Sequence, residues 1–171
     1  RERIVRRDAG FSFSGVVHEA MAVSGNVLHA DIIVRHERGE KPPQGRRNLN
    51  IYEKWMARGR AMSARDRYYY AREWMALGDY AAGEREFARF LAMPEGWKEN
   101  RIDAYIQRGI CLQRLGRCGE AKQSCLASLA IAPPRAEALC VLGELEMQEE
   151  AWQAAVFWYR AALLCGKPTE G

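Results

Sequence analysis

Nothing in this 171-residue chain supplies a glycine-rich phosphate loop, an Asp-x-Asp pair or a CxxC pair. No apolar run reaches the ~20 residues that a bilayer span needs, and no stretch has the pattern of a secretory signal core. The five cysteines are odd in number and spaced without pairing. That pattern argues against a disulfide framework and for a reducing, cytoplasmic setting. Cys118 and Cys125 read as small core residues, not as ligands or nucleophiles. Zinc-finger and helix-turn-helix spacings are absent, as is the aromatic interleaving of an RNA platform, so nucleic acid is not an expected partner. The chain opens on Arg1 instead of methionine, and the expectation is a segment cut from something longer.

Charge is present but uneven. Residues 1–67 hold 14 Lys/Arg against 8 Asp/Glu, a balance of +6, while residues 68–171 carry −2. A basic half could meet an anionic partner. Arg1, Arg3, Arg6 and Arg7 read best as protection of a solvated strand edge.

The strongest positive feature is a period of 34 residues. Gly109 recurs as Gly143, Ala121 as Ala155, Cys125 as Tyr159, Ser128 as Ala162 and Leu129 as Leu163. A looser copy precedes these by 38 positions, with Trp74 for Leu112, Gly78 for Gly116, Phe87 for Cys125 and Leu91 for Leu129. Small residues at Gly109, Gly143, Ala121 and Ala155 would let paired helices approach closely. Large ones at Trp74, Phe87, Leu112, Leu129, Trp152, Tyr159 and Leu163 would fill the layers between pairs. Gly78 and Gly116 fall where a helix ends on a left-handed residue. Pro133-Pro134 stops the second helix of the middle pair. Over about residues 64–168 these positions resemble the tetratricopeptide pattern, in which helical hairpins stack because none can bury its apolar face alone. The first unit departs from the pattern, with Gly83 in place of alanine and a longer loop at Pro94-Glu95-Gly96-Trp97.

The first fifty residues have a different rhythm. Arg3–Arg7, Phe11–His18 and Asn26–His36 read as short strands, with a turn at Ser24-Gly25-Asn26. Two or three such strands need a partner surface to be stable. The joint from Glu37 to Gly45 is too rich in Gly, Pro and charge for regular structure. Asn48 is the expected cap of a helix through Ile51, Tyr52, Trp55 and Met56. Ser63 with Asp66 forms a capping box opening the next helix.

Taken in order, Arg3-Ile4-Val5-Arg6-Arg7, then Val17-His18-Glu19, Ile33-Val34-Arg35-His36, Arg47-Asn48-Leu49 and the repeats resemble the tail of bacterial family 2 glycosyltransferases. The resemblance implies a mainly α chain: a tetratricopeptide helical-hairpin solenoid preceded by a short strand and hairpin segment left over from an α/β GT-A domain. The implied divisions are 1–38 for the terminal strands of the catalytic domain, 39–62 for a joint and connecting helix, and 63–171 for the array. Its units would be about 64–101, 102–135 and 136–169.

The same resemblance implies sugar transfer from a nucleotide-sugar donor to an acceptor, assisted in the intact parent by a divalent metal, Mg or Mn. His18 is then the candidate metal contact and His36 a weaker one, with Glu19 as a catalytic or acceptor-side carboxylate. His18 also reads as a strand-end histidine bonded to backbone, and Glu19 as a surface carboxylate. Because Asp-x-Asp is absent here, the donor site would lie in a preceding domain, and this segment alone would be inactive without a cofactor of its own. The array would present Tyr68, Arg72, Met75, Ile106, Ile110, Gln113, Cys140, Glu144 and Met147 along its concave face, either a groove for a protein or peptide acceptor or a structural surface for self-association and assembly. A non-catalytic tetratricopeptide adaptor is the alternative.

Overall fold

The computed structural model describes residues 5–21, 23–26, 28 and 45–166, and the chain divides into two compact units, Arg1–Ala61 and Met62–Gly171. Among the described residues it is mainly helical, with a small two-stranded sheet.

In the first unit a 3-10 turn, Arg7–Ala9, ends on Gly10 at φ 70°. Strands β1 (Phe13–Ser14) and β2 (Ala20–Met21) pair antiparallel, Phe13 opposite Met21 and Ser14 opposite Ala20. Of the strand expected over Phe11–His18 only Phe13–Ser14 pairs. Gly15 takes φ 115° and turns the chain, leaving Val16, Val17 and His18 in the connection. Of the strand expected over Arg3–Arg7, residues 3 and 4 lie outside the described residues, Val5 and Arg6 are in no strand, and Arg7 opens the 3-10 turn. Of the segment Asn26–His36 only Asn26 and Leu28 are described, and neither is in a strand. His36 lies outside the described residues.

Helix α1 spans Arg47–Ala57 and buries Leu49 and Tyr52. Asn48 is not its cap. Gly45, at φ 48°, turns the chain early enough for the helix to start at Arg47, which places Asn48 inside the first turn. The Trp55 indole N–H donates to the Ala61 carbonyl at 3.2 Å, and the Arg60 guanidinium lies 4.4 Å from the Trp55 ring centre.

The second unit holds six helices among the described residues: α2 (Ala64–Ala76), α3 (Tyr80–Leu91), α4 (Lys98–Arg114), α5 (Cys118–Leu129), α6 (Ala136–Gln148) and α7 (Trp152–Leu164). They pack as the hairpins α2–α3, α4–α5 and α6–α7, with α3 against α4 and α5 against α6. Ser63 caps α2, its hydroxyl accepting the Asp66 N–H at 3.1 Å and donating to the Asp66 carboxylate at 2.6 Å. Asp79 caps α3 in the same manner through the Ala82 N–H at 2.9 Å.

The first helix of every hairpin ends with the same hydrogen-bonded stop. Asp79 N–H reaches Trp74 O, Arg117 N–H reaches Leu112 O, and Ala151 N–H reaches Glu146 O, at 3.1, 2.9 and 2.9 Å. Each is the six-to-one bond of a Schellman motif, which requires a left-handed residue just before the donor. Gly78 and Gly116 provide it at φ 79° and 72°; in the third hairpin the residue is Glu150, at φ 59°.

Small residues sit where the helices touch. A Cβ added to Gly109 would lie 2.5 Å from Cys125 Sγ, and one added to Gly143 would lie 2.9 Å from the Tyr159 ring. Thus a pair 34 residues apart in sequence makes the same contact in two successive hairpins. Leu112 and Leu142 are fully buried in the cluster that contains Cys125, and Phe87 and Phe90 in a second cluster with Tyr68 and Cys111. Each such side chain contributes roughly 1.5–3 kcal/mol of transfer free energy. Two residues expected to fill a layer do not. Trp152 and Leu163 are exposed, since no further hairpin follows α7 among the described residues.

Candidate functional site

The two candidate sites belong to different units, and each is built from local geometry. In the first unit, the five-residue connection Gly15–Glu19 joins β1 to β2. Gly15 is needed there on two grounds: its positive φ, and the 3.1 Å between a built Cβ and the His18 carbonyl oxygen. The Ser14 hydroxyl donates to the Ala20 carbonyl at 3.2 Å and closes the base of the loop. His18 is half-buried and Glu19 exposed at the loop's end. Among the described residues, no three His, Cys, Asp or Glu side chains gather closely enough to hold a metal ion. His18 and Glu19 offer two donors, whereas Mg²⁺ or Mn²⁺ takes an oxygen-rich octahedral shell. By themselves they do not fit a metal centre, and no step through a metal is assigned to them.

In the second unit, a cleft of about 310 Å³ lies between α2 and α4, lined by Arg72, Met75, Ala76, Tyr80, Gln107, Ile110 and Arg114. Three residues of the expected groove, Arg72, Met75 and Ile110, are on its wall. Helical spacing brings them there: Arg72, Met75 and Ala76 share one face of α2, and Gln107, Ile110 and Arg114 share one face of α4.

Beneath the cleft is a polar chain. The Tyr68 hydroxyl donates to Asp103 at 2.6 Å, Gln107 donates to the other Asp103 oxygen at 3.1 Å, and Arg72 donates to the Tyr68 oxygen at 3.3 Å. Burial, with the Asp103 carboxylate beside it, pushes the Tyr68 hydroxyl well above the ordinary tyrosine range. Tyr68 and Ile106, expected on the open face, are instead buried. Both point into the packing between hairpins, where their apolar area is worth more than at a surface. Gln113 donates to Glu144 across α4 and α6 at 3.4 Å. Cys140 is half-buried, its thiol pushed up by burial and then by neighbouring Glu144, while Met147 is exposed.

Ala76, Tyr80, Gln107 and Arg114 are the four wall residues outside the expected set. The stripe Asp103, Gln107, Ile110 and Arg114 at helical spacing was the available signal for two of them, and Tyr80 becomes visible only once α3 is folded onto α2.

No known family model matches the chain, and no curated protein matches it.

Proposed function

We propose that the helical unit is a tetratricopeptide-type array and that the chain is the C-terminal part of a glycosyltransferase of the GT-A class. In this reading the array holds a protein or peptide acceptor in the cleft between α2 and α4, or assembles the enzyme. The observation that carries the array is the repeated contact, Gly109 with Cys125 and Gly143 with Tyr159, spaced by the tetratricopeptide period. The transferase is supported by the order of short motifs and by the placement of Val17-His18-Glu19 on a loop with a half-buried imidazole and an exposed carboxylate. His18 and Glu19 are assigned as contacts to donor or acceptor, within a site whose remaining groups belong to a preceding catalytic domain.

The test reads the coding sequence upstream of this chain and uses the protein it encodes. Upstream sequence with an Asp-x-Asp motif in an α/β domain, and metal-dependent release of nucleoside diphosphate from nucleotide sugars, are the expected results. His18→Ala in that protein should lower turnover by roughly 10–100-fold with unchanged helix content. Normal turnover removes His18 from the site, and the absence of an α/β domain upstream removes the transferase. The cleft itself favours a second reading, a non-catalytic adaptor, which would bind its partner with no transfer activity.

A further inference from the structure

Helix α7 has one charged residue, Arg160, among its thirteen, and a helix apolar nearly all round belongs in a buried position. Only one side is covered. Ala155 and Ala162 are buried, whereas Phe157 is 61% exposed, Leu163 85% and Leu164 86%, with Trp152 and Val156 also open.

The repeat shows what that side does elsewhere. Trp152 and Val156 stand 34 positions after Cys118 and Lys122, which stand 38 after Tyr80 and Glu84. Those earlier residues face the next hairpin. Glu84 pairs with Arg108 of α4 at 2.7 Å, and Lys122 pairs with Glu146 and Glu149 of the α6 end at 3.0 and 2.8 Å. Cys118 Sγ lies 3.9 Å from the Gln148 amide oxygen. On α7 the ion-pairing slot is Val156. A helix that brings a charge to this slot, as α4 brings Arg108 and α6 brings Glu146, would bury that charge unpaired against Val156, which is unfavourable. An apolar helix face is the better occupant.

We infer that α7 packs against α7 of a second copy of this chain about a two-fold axis. Arg160 and Gln153 are the polar residues on this open side. In an antiparallel two-fold pairing centred between Val156 and Phe157, Arg160 falls opposite Gln153 of the second copy and not opposite its own counterpart, so like charge does not oppose the contact. Its open side chains expose on the order of 600 Å² per copy, counting roughly 150–250 Å² for each whole aromatic and less for an aliphatic. That approaches the ~800 Å² per partner of a standard interface and stands at the upper end of the roughly 300–600 Å² apolar patch of an ordinary monomer. An isologous contact also closes on itself, so it makes a dimer and not a filament. Val156 and Phe157, near the middle of α7, lie beside the axis and meet the same pair of the second copy.

Sedimentation equilibrium of the full 171-residue chain, from low to high micromolar loading, tests this pairing. A monomer–dimer equilibrium is expected. Phe157→Glu and Phe157→Lys should each raise the dissociation constant about 30-fold or more, as for loss of one hot-spot residue. An equimolar mixture of the two should recover the dimer, because opposite charges then meet at the axis. Circular dichroism should be unchanged in both; if either loses helix, Leu164→Lys at the exposed end of α7 replaces it with the same expectation. A chain that stays monomeric throughout, a variant that dimerises like the parent, or a mixture that remains monomeric overturns the proposal.

Discussion

Replacing Glu150 with glycine should stabilise the protein. Glu150 occupies the slot held by Gly78 and Gly116 in the other two hairpins, at φ 59° and with the same stop: Ala151 N–H to Glu146 O at 2.9 Å and Glu150 N–H to Met147 O at 3.2 Å. A side chain in that left-handed conformation costs roughly 1–2 kcal/mol, from the closeness of Cβ to the following carbonyl. Glycine removes that strain but loses roughly 0.5–1 kcal/mol through the greater freedom of the unfolded chain. The balance is a gain of about 0.5–1 kcal/mol. Glu150 is exposed, so little packing is lost with its side chain. Urea unfolding followed by circular dichroism should show a higher midpoint at unchanged slope, and the melting temperature should rise by about 1–4 °C. Asparagine, which tolerates the left-handed region, should fall between the two. Gly116→Glu should do the reverse, losing about 0.5–1 kcal/mol by the same strain. If Glu150→Gly leaves the midpoint where it was, or lowers it, the left-handed strain is not what limits this hairpin.

Gly109→Ala should destabilise by about 1–3 kcal/mol through overpacking against Cys125, despite alanine's better helix propensity. Cys125→Ala in the same chain should recover part of that loss, and purely additive single and double variants would exclude the contact as the cause. Burial pushes the Cys111 and Cys125 thiols up to about 12, so both should alkylate only at the rate of unfolding. Their folded values exceed the ordinary 9.0, which makes the stabilisation complete below pH 9 and progressively lost as the pH rises towards 12. An unfolding midpoint that stays flat between pH 9 and 11 would count against this.

The helices were legible where local chemistry and packing point the same way. Ser63 with Asp66, Gly78, Gly116 and Pro133-Pro134 mark ends by their own backbone requirements, and the structure places the helix ends beside them. The amino-terminal hairpin was misread because Phe11 to His18 carries strand-favouring aromatic and β-branched residues. Register there is decided by Gly15, whose positive φ no alternation pattern reveals. Asn48 failed as a cap for a comparable reason, since Gly45 upstream sets the helix start. At the cleft, helical spacing identified Arg72, Met75 and Ile110. It could not distinguish residues on the open wall from Tyr68 and Ile106, which lie one helical step away and are buried between hairpins. Tyr80 reaches the wall from another helix, so only tertiary packing discloses it.

The ion pairs at the two hairpin junctions have opposite polarity. At the first, the acid Glu84 is on the earlier hairpin and the base Arg108 on the later one; at the second, the base Lys122 comes first and the acids Glu146 and Glu149 follow. At the 34-residue register the counterpart of Arg108 is Leu142, so outer hairpins that met directly would leave Glu84 without its partner. The counterpart of Glu146 is Leu112, so a middle hairpin stacked on a copy of itself would leave Lys122 without that carboxylate. Hairpins this similar in shape could otherwise dock in the wrong sequence during folding or exchange between chains. Junction pairs that differ in polarity and position therefore favour each hairpin in its own place.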